Sequence, residues 1–290
     1  MARSYAALAL ACCWIAAAPI LIRASEVDPA TSLWLRMLIA VAVLASVRAP
    51  RRFGVSGGRG PLLMASLAFA IDILAYHLAA VRTSVANTAL LGQISPLVVA
   101  PVSYLAFGER QSLGSAVGLF GAFAGAVLLA GTGETGSDIG NGLAALSGAS
   151  YAAYLLIAKS LAARIALRRM VLWNCAITVL LVTPLVLQQG APTLPHTAQG
   201  WLVILAMAVG CQLLGHGLVV YAIERLPASF TAQALLTPPV LSAGAALLLF
   251  DERPSLAQLS GAVLVLAGLF LTARHQARRT PTLYPVSTLV

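Results

Sequence analysis

Charged residues are scarce in this sequence, and their scarcity excludes an ordinary water-soluble fold. They make up 9% of the 290 residues, against roughly 25% in a typical soluble domain, while 60% of the residues are hydrophobic. Polar surface is therefore too limited to cover the chain in water, and we expect most of it to lie in lipid. The net charge of +9 comes from arginines in short clusters between apolar runs, which indicate membrane topology rather than a nucleic-acid partner.

Metal-binding and catalytic motifs are also missing. The four cysteines lie inside apolar runs without a Cys-x-x-Cys or Cys/His spacing, and the four histidines are scattered along the chain. There is no Walker-type loop, no Gly-x-Ser-x-Gly and no pair of carboxylates within an apolar run. We therefore predict no metal, no cofactor and no catalytic residue, and keep a membrane-embedded enzyme as a less favoured alternative.

Long apolar runs predict the fold class. A helix needs about 20 mostly apolar residues to cross a membrane, and these runs are apolar all round, unlike helices on the surface of a soluble protein. A membrane β-barrel would instead show alternating segments of about ten residues. The sequence thus predicts an all-α integral membrane protein with ten transmembrane helices. The predicted spans are 5–22, 30–47, 61–80, 85–107, 112–131, 140–158, 170–187, 200–221, 229–250 and 255–273.

The positions of basic residues predict which side of the membrane each loop faces. With the N-terminus inside, most arginines fall in cytoplasmic loops, while the external loops are acidic, as at Glu26 and Asp28. This orientation needs an even number of helices and places both termini in the cytoplasm. We therefore expect a multi-pass protein of the cell inner (plasma) membrane, with residues 276–290 forming a disordered cytoplasmic tail.

The two halves of the chain match each other when one is shifted by 143 residues. Gly108-Glu109-Arg110 then overlays Asp251-Glu252-Arg253, and Pro96 overlays Pro239. The match predicts two repeats of five helices, residues 1–135 and 136–275. An odd number of helices places the second repeat upside down relative to the first. Inverted repeats are typical of transporters that expose a site near the midplane alternately to each side.

The same segments resemble a known family. A fourth helix that runs through Pro96 into Gly108-Glu109-Arg110, a glycine-rich fifth helix and the related Asp251-Glu252-Arg253 are similar to the EamA-type drug/metabolite transporters. Arg36 resembles the arginine of the second helix of that family. The resemblance covers residues 5–273 and implies a secondary carrier, often an exporter of amino acids or other metabolites.

Asp72 is the leading candidate for a functional residue. It lies eleven residues from Pro61, which is roughly 16 Å at 1.5 Å per residue and near the centre of a hydrocarbon core about 30 Å thick. An acidic group there costs roughly 2.5–3.5 kcal/mol on insertion scales, so it should face a cavity or a partner. We interpret Asp72 as a residue for substrate contact or proton coupling, or as a structural partner of Arg36.

Further polar residues in the predicted spans are candidates for substrate contact or coupling. His77 and His216 could relay protons or form hydrogen bonds between helices. Pro96 and Pro239 are expected to kink equivalent helices, and paired interruptions point to a site near the midplane. The remaining candidates, for which a hydrogen bond between helices is an equal alternative, are Gln93, Tyr151, Tyr154, Asn174, Gln212 and Gln233, together with Asn87 and Ser95.

Small residues form a stripe along the fifth predicted helix, at Gly114, Gly118, Gly121 and Gly125. Small residues let helix backbones approach closely. We expect this stripe to pack against another helix, with the other half of the chain as one candidate, and not to contact the cargo.

The charges within the predicted spans favour one class of cargo. A positive group, Arg36, and a negative group, Asp72, in the same half of the membrane favour export of a small zwitterionic solute such as an amino acid. A lipophilic-cation efflux carrier, which needs mainly a buried acid and aromatic residues, is the main alternative, and a channel or receptor is less favoured. The expected partners are the lipid bilayer and a small-molecule substrate. Proton coupling and a homodimer both remain open.

Overall fold

The computed structural model describes residues 2–47, 59–80, 82–83, 88, 91–130, 137–162, 164–190, 192–250 and 255–277. Every regular element within these ranges is helical. Within the described ranges, eight stretches are long and apolar enough to cross a membrane, and α4 is a shorter apolar helix. The helices are α1 (Ala2–Arg23), α2 (Pro29–Ser46), α3 (Arg59–Ala80), α4 (Ser95–Phe107), α5 (Leu113–Ala130), α6 (Asp138–Leu161), α7 (Leu167–Gln188), α8 (Ala198–Ala206), the π-helix π1 (Met207–His216), α9 (Gly217–Arg225), α10 (Ala228–Ala234), α11 (Thr237–Phe250) and α12 (Leu256–Ala277).

The all-helical prediction is confirmed for the described residues, but the predicted span 229–250 is not one continuous helix. It divides into α10 and α11 at a turn formed by Leu235 and Leu236, whose N–H groups donate to the carbonyls three residues earlier at 3.2 and 3.0 Å. Pro239 follows in the first turn of α11. A proline is tolerated there because the first N–H groups of a helix have no partner within it.

The predicted span 85–107 has an equivalent interruption. Helix α4 begins at Ser95, shortly after a turn at Gln93, and Pro96 is its second residue. Both prolines therefore begin a helical segment, whereas the sequence predicted that each would kink a continuous helix. Several predicted features lie outside the described residues, namely 84–87 and 89–90 with Asn87, the Glu252-Arg253 pair, and the tail 278–290.

Side-chain caps determine where several helices begin. The Asp28 carboxylate accepts hydrogen bonds from two N–H groups in the first turn of α2, at 2.9 and 3.0 Å, and Pro29 is the first residue of that helix. Ser137 caps α6 and Thr197 caps α8 through their hydroxyl oxygens. These caps satisfy N–H groups that the helix itself leaves without a partner.

Packing in the described structure joins the two halves of the chain along most of their helices. Helix α3 of the first repeat packs along α6 of the second. The equivalent pair with the repeats exchanged is α1 of the first repeat, which packs against π1 and α9 of the second. Helix α2 packs against α7, and α5 packs along α12. Each of these contacts joins an element of residues 1–135 to an element of residues 136–275. The centre of the molecule is therefore built from both halves.

Two pairs of glycines bring the backbones of α5 and α12 close together. A Cβ atom on Gly125 would lie 2.5 Å from the carbonyl oxygen of Gly261, and a Cβ atom on Gly261 would lie 2.5 Å from that of Gly125. Gly118 and Gly268 meet in the same reciprocal way. The predicted packing role of the stripe is confirmed at Gly118 and Gly125, while a Cβ atom on Gly121 would meet nothing within 4 Å.

The outer surface of the helices is apolar. Large hydrophobic side chains are widely exposed, including Leu105 at 79%, Leu113 at 84% and Leu256 at 83%. A soluble monomer rarely exposes apolar patches of this extent. Several polar side chains are instead buried between the helices, among them Arg36, Asn174 and Gln212. This distribution suits a protein whose surroundings are lipid.

Candidate functional site

Asp72 lies on α3 and turns toward α6. The hydroxyl of Ser147 on α6 donates a hydrogen bond to Asp72 Oδ1 at 2.6 Å. Among the described residues, the recorded ion pair joins Arg225 to Glu224 at the surface, and neither Asp72 nor Arg36 forms one. Asp72 therefore has a neutral hydroxyl as its direct partner, and the structural pair with Arg36 that the sequence allowed is not formed.

A hydrogen-bonded chain crosses three helices next to Asp72. Ser66 on α3 donates to Asn174 Oδ1 on α7 at 3.0 Å, and Asn174 Nδ2 donates to the phenolic oxygen of Tyr154 on α6 at 3.0 Å. All three side chains are buried. Such a chain holds α3, α6 and α7 in one register, because breaking it would leave buried polar groups without partners.

Aromatic rings surround this chain. The rings of Phe69 and Tyr154 lie 5.0 Å apart between centroids, and those of Tyr151 and Tyr154 lie 5.7 Å apart. Phe69 also meets the His216 ring edge-on at 5.1 Å. The sequence candidates Tyr151, Tyr154 and His216 are thus brought together around a phenylalanine that sequence reasoning did not select. A π-face in this position can support either an apolar group or a cation.

Arg36 lies on α2 and is 7% exposed, and its buried Nε atom has no hydrogen-bond partner among the described residues. One turn earlier on α2, the Ser32 hydroxyl donates to Met207 Sδ on π1 at 3.6 Å, and α2 packs against π1. Gln212 on π1 donates from Nε2 to Cys175 Sγ at 3.4 Å, while its Oε1 atom has no partner in the part of the chain that the structure describes. The arginine is therefore buried on a helix that contacts the second repeat, and no described carboxylate pairs with it.

The two histidines differ in their partners. His77 Nδ1 lies 2.9 Å from the Ile73 carbonyl on the same helix, which satisfies it locally. His216 Nδ1 is buried and has no hydrogen-bond partner within the described ranges. His216 also belongs to π1, a ten-residue π-helical segment within the stretch Ala198–Arg225. π-helical segments are rare and often lie at functional sites, so His216 is the stronger of the two candidates.

The interruptions bring a further candidate into the interior. Gln233 at the end of α10 is 2% exposed, and no described group forms a hydrogen bond with its Nε2 atom. Gln93 occupies the turn before α4 and is half-buried. Both glutamines therefore lie at or next to the interruptions that precede α4 and α11. The described residues contain no group of three histidine, cysteine or acidic side chains able to hold a metal ion.

The sequence matches the model of the EamA-like transporter family twice, over residues 3–131 and over residues 138–274. The chain belongs to the EamA-like transporter family. The resemblance drawn from the two Pro-to-Glu-Arg segments is therefore confirmed. This EamA-like protein is a multi-pass membrane protein with two EamA repeats, and its family is one of transporters.

The fold of this EamA-like transporter also has a counterpart among solved structures. A chain known from a crystal structure aligns over 95% of this chain and 97% of its own length, with a TM-score of 0.79 and 19% sequence identity. At that identity the likeness shows the fold alone. A comparison with curated proteins found no match.

Glu109 of this EamA-like transporter has a role that sequence reasoning missed. It is 3% exposed, and its carboxylate accepts hydrogen bonds from the N–H of Ala228 at 2.9 Å and from the N–H and hydroxyl of Ser229 at 3.3 and 3.2 Å. Gln111 donates to the same hydroxyl at 2.6 Å. The end of the first repeat thus caps α10 of the second. The recurrence of Glu109 at Glu252 was the signal that could have identified it.

A second carboxylate joins the two repeats outside the membrane-spanning helices. Glu26, in the loop after α1, accepts hydrogen bonds from the His196 and Thr197 N–H groups at 2.8 and 3.2 Å, and from the Thr197 hydroxyl. The hydroxyl makes the largest contribution to holding the pKa of Glu26 below its ordinary value. This loop is thereby attached to the start of α8.

Proposed function

We propose that this transporter exports a small metabolite, such as an amino acid, across the inner membrane by alternating access. The observation that carries the proposal is the contact of Phe69 on α3 with the rings of Tyr154 on α6 and His216 on π1, which joins helices of both repeats among buried polar residues. A cargo bound there would contact both halves at once. Movement of one half against the other would then change the side from which that cargo is accessible.

The inverted arrangement of the repeats is part of this proposal, with ten helices in two domains, 1–135 and 136–275, and both termini in the cytoplasm. The reciprocal contacts between Gly118 and Gly268 and between Gly125 and Gly261 support it. They require that α5 and α12, which occupy equivalent places in the two repeats, run antiparallel. Reporter fusions at residues 109 and 252 test the arrangement, which is wrong if both report the same side of the membrane.

Alternating access is supported by the paired interruptions before α4 and α11. A break in a membrane helix is tolerated where neighbouring groups satisfy the freed backbone or where it lines a cavity. Such breaks also provide positions at which half of a helix can tilt. Glu109 forms a contact that would close the protein on one side. Its carboxylate joins the first repeat to the start of α10 on the side that we place in the cytoplasm.

Arg36 and Asp72 favour a zwitterionic cargo. Counterflow in proteoliposomes tests this, with unlabelled amino acids and a lipophilic cationic dye as competitors. We expect amino acids to compete and the dye to have little effect. The rings around Asp72 also suit a lipophilic cation, so efflux of such cations is the second candidate. Inhibition by the dye alone would replace the first candidate with the second.

Asp72 is the proposed coupling residue. Its single described partner is the Ser147 hydroxyl, so the carboxylate is free to exchange a proton with the cargo pathway without breaking an ion pair. We expect Asp72→Asn to abolish the dependence of transport on a pH gradient. Ser147→Ala, which removes the partner but keeps the titrating group, should change the midpoint of that dependence and preserve it. Full activity of Asp72→Asn with unchanged pH dependence would contradict this role.

A further inference from the structure

Three buried polar atoms between α2 and π1 have no hydrogen-bond partner among the residues that the structure describes. They are Nε of Arg36 on α2, and Oε1 of Gln212 and Nδ1 of His216 on π1. A buried polar group without a partner costs roughly 1–3 kcal/mol, and more if it is charged, so such groups are uncommon and call for an explanation. A bound molecule with both an acceptor and a donor would satisfy all three.

The three side chains lie where α2 packs against π1. The Ser32 hydroxyl on α2 donates to Met207 Sδ at the start of π1 at 3.6 Å, and Arg36 lies one turn after Ser32.

The two π1 side chains, Gln212 and His216, are four residues apart. The Gln212 amide donates to Cys175 Sγ on α7 at 3.4 Å, and the His216 ring stands edge-on to Phe69 on α3. The unpartnered atoms therefore belong to one region between helices, with α7 on one side and α3 on another.

The chemistry of these atoms specifies what would complete them. A buried guanidinium needs an anion, and its planar donors match a carboxylate in two parallel hydrogen bonds. Oε1 of Gln212 is an acceptor and needs an N–H or O–H donor. Nδ1 of His216 can donate or accept according to its tautomer. A ligand that suits the region therefore carries an anionic acceptor and a donor close together.

We propose that Arg36, Gln212 and His216 form a subsite for a carboxylate with a hydrogen-bond donor on the neighbouring carbon, as in α-amino and α-hydroxy acids. This inference rests on the proposed transport function and adds which end of the cargo binds where. Asp72 is not part of the subsite, because its carboxylate bonds to Ser147 on α6. A free anion such as chloride would satisfy Arg36 but would leave Gln212 Oε1 without a donor.

Binding to the purified protein tests the subsite without requiring transport. Thermal unfolding in detergent is followed with a panel of standard L-α-amino acids and their α-hydroxy analogues. The ligand that stabilises most is then compared with its carboxamide, with its decarboxylated amine and with sodium chloride. We expect the carboxamide and the decarboxylated amine to bind at least about tenfold more weakly than the carboxylate, since each loses a charge-assisted hydrogen bond to Arg36. Chloride should not reproduce the stabilisation.

The opposing outcomes are equally specific. Equal stabilisation by the carboxamide, no response to any member of the panel, or full stabilisation by chloride would overturn the subsite. Counterflow of another metabolite by the same preparation would still support the transport function. The failure of this inference is therefore distinguishable from the failure of the proposed function.

Two substitutions separate ligand binding from a structural role. Arg36→Lys keeps the charge but loses the planar fork, and we expect at least about tenfold weaker binding of the carboxylate with folding retained. Gln212→Glu supplies an internal carboxylate beside Arg36, so it should raise the melting temperature of the ligand-free protein and abolish the response to ligand. The matched control Gln233→Glu buries a carboxylate on α10 and should lower the melting temperature. A lower melting temperature for both glutamate variants would contradict the subsite.

Discussion

Replacing Glu109 by alanine should weaken the attachment between the two repeats. The change removes one buried carboxylate that accepts three hydrogen bonds from Ala228 and Ser229. A lost N-terminal cap costs about 1 kcal/mol and a lost hydrogen bond to a charged group about 1.5–3 kcal/mol. Taking one of each, since neighbouring bonds are not additive, we expect a loss of about 2.5–4 kcal/mol. Glu109→Gln keeps one carbonyl oxygen as an acceptor and should lose about half as much.

The matched control is Glu224→Ala, which removes a carboxylate that is exposed and pairs with Arg225 at 2.6 Å. Exposed pairs contribute about 0–1 kcal/mol, so this variant should unfold almost as the unchanged protein does. Reversible unfolding in mixed micelles measures the free energy for each variant. If Glu109→Ala and Glu224→Ala lost equal stability, Glu109 would not stabilise the contact and the reasoning would be wrong.

Three further changes probe other parts of the molecule. Gly118→Ala should destabilise the protein, because the added Cβ atom would clash with the Gly268 backbone. Gly121→Ala adds a Cβ atom in open space and should be neutral or slightly stabilising. Thermal unfolding of the two variants compares their stabilities. Glu26→Gln should lower stability at pH 7, and the difference from the unchanged protein should disappear as the pH falls below about 4. The reason is that the pKa of Glu26 is lower in the folded than in the unfolded protein. The ionised carboxylate therefore stabilises the fold above the unfolded-state pKa, and this stabilisation is lost as the pH falls through the folded-state pKa. Thr197→Ala should reduce the loss of stability between pH 7 and acidic pH, because it removes the hydroxyl that is the main cause of the lowered pKa of Glu26.

The helices and the family could be predicted from sequence because both leave a signal in the chain itself. Membrane helices require long apolar runs, whatever their neighbours are. The duplication remained visible where residues with special backbone or charge properties recur, as at Pro96 and Pro239. The polar residues that lie around Phe69 could also be selected as candidates from the sequence, since polar groups in apolar runs rarely face lipid.

Contacts between helices could not be predicted in the same way. A helix that is apolar all round has no polar face to show which side turns inward, so nothing in the sequence joined Ser66 to Asn174 or placed Ser147 beside Asp72. The interruption at Leu235 was also missed. Leucine is a good helix former, and the signal lay in the Thr-Pro-Pro that follows it.

The crossing of α5 and α12 has a consequence for the history of the chain. Gly261 is the repeat counterpart of Gly118, and Gly268 is that of Gly125, since both pairs are 143 positions apart. Gly118 therefore contacts the counterpart of Gly125, and Gly125 contacts the counterpart of Gly118. A single five-helix ancestor would have made the same contact by pairing with a second copy of itself, using two glycines where the fused chain needs four. If the two repeats descend from one such chain, this crossing has kept the same steric requirement on both copies while the rest of each diverged.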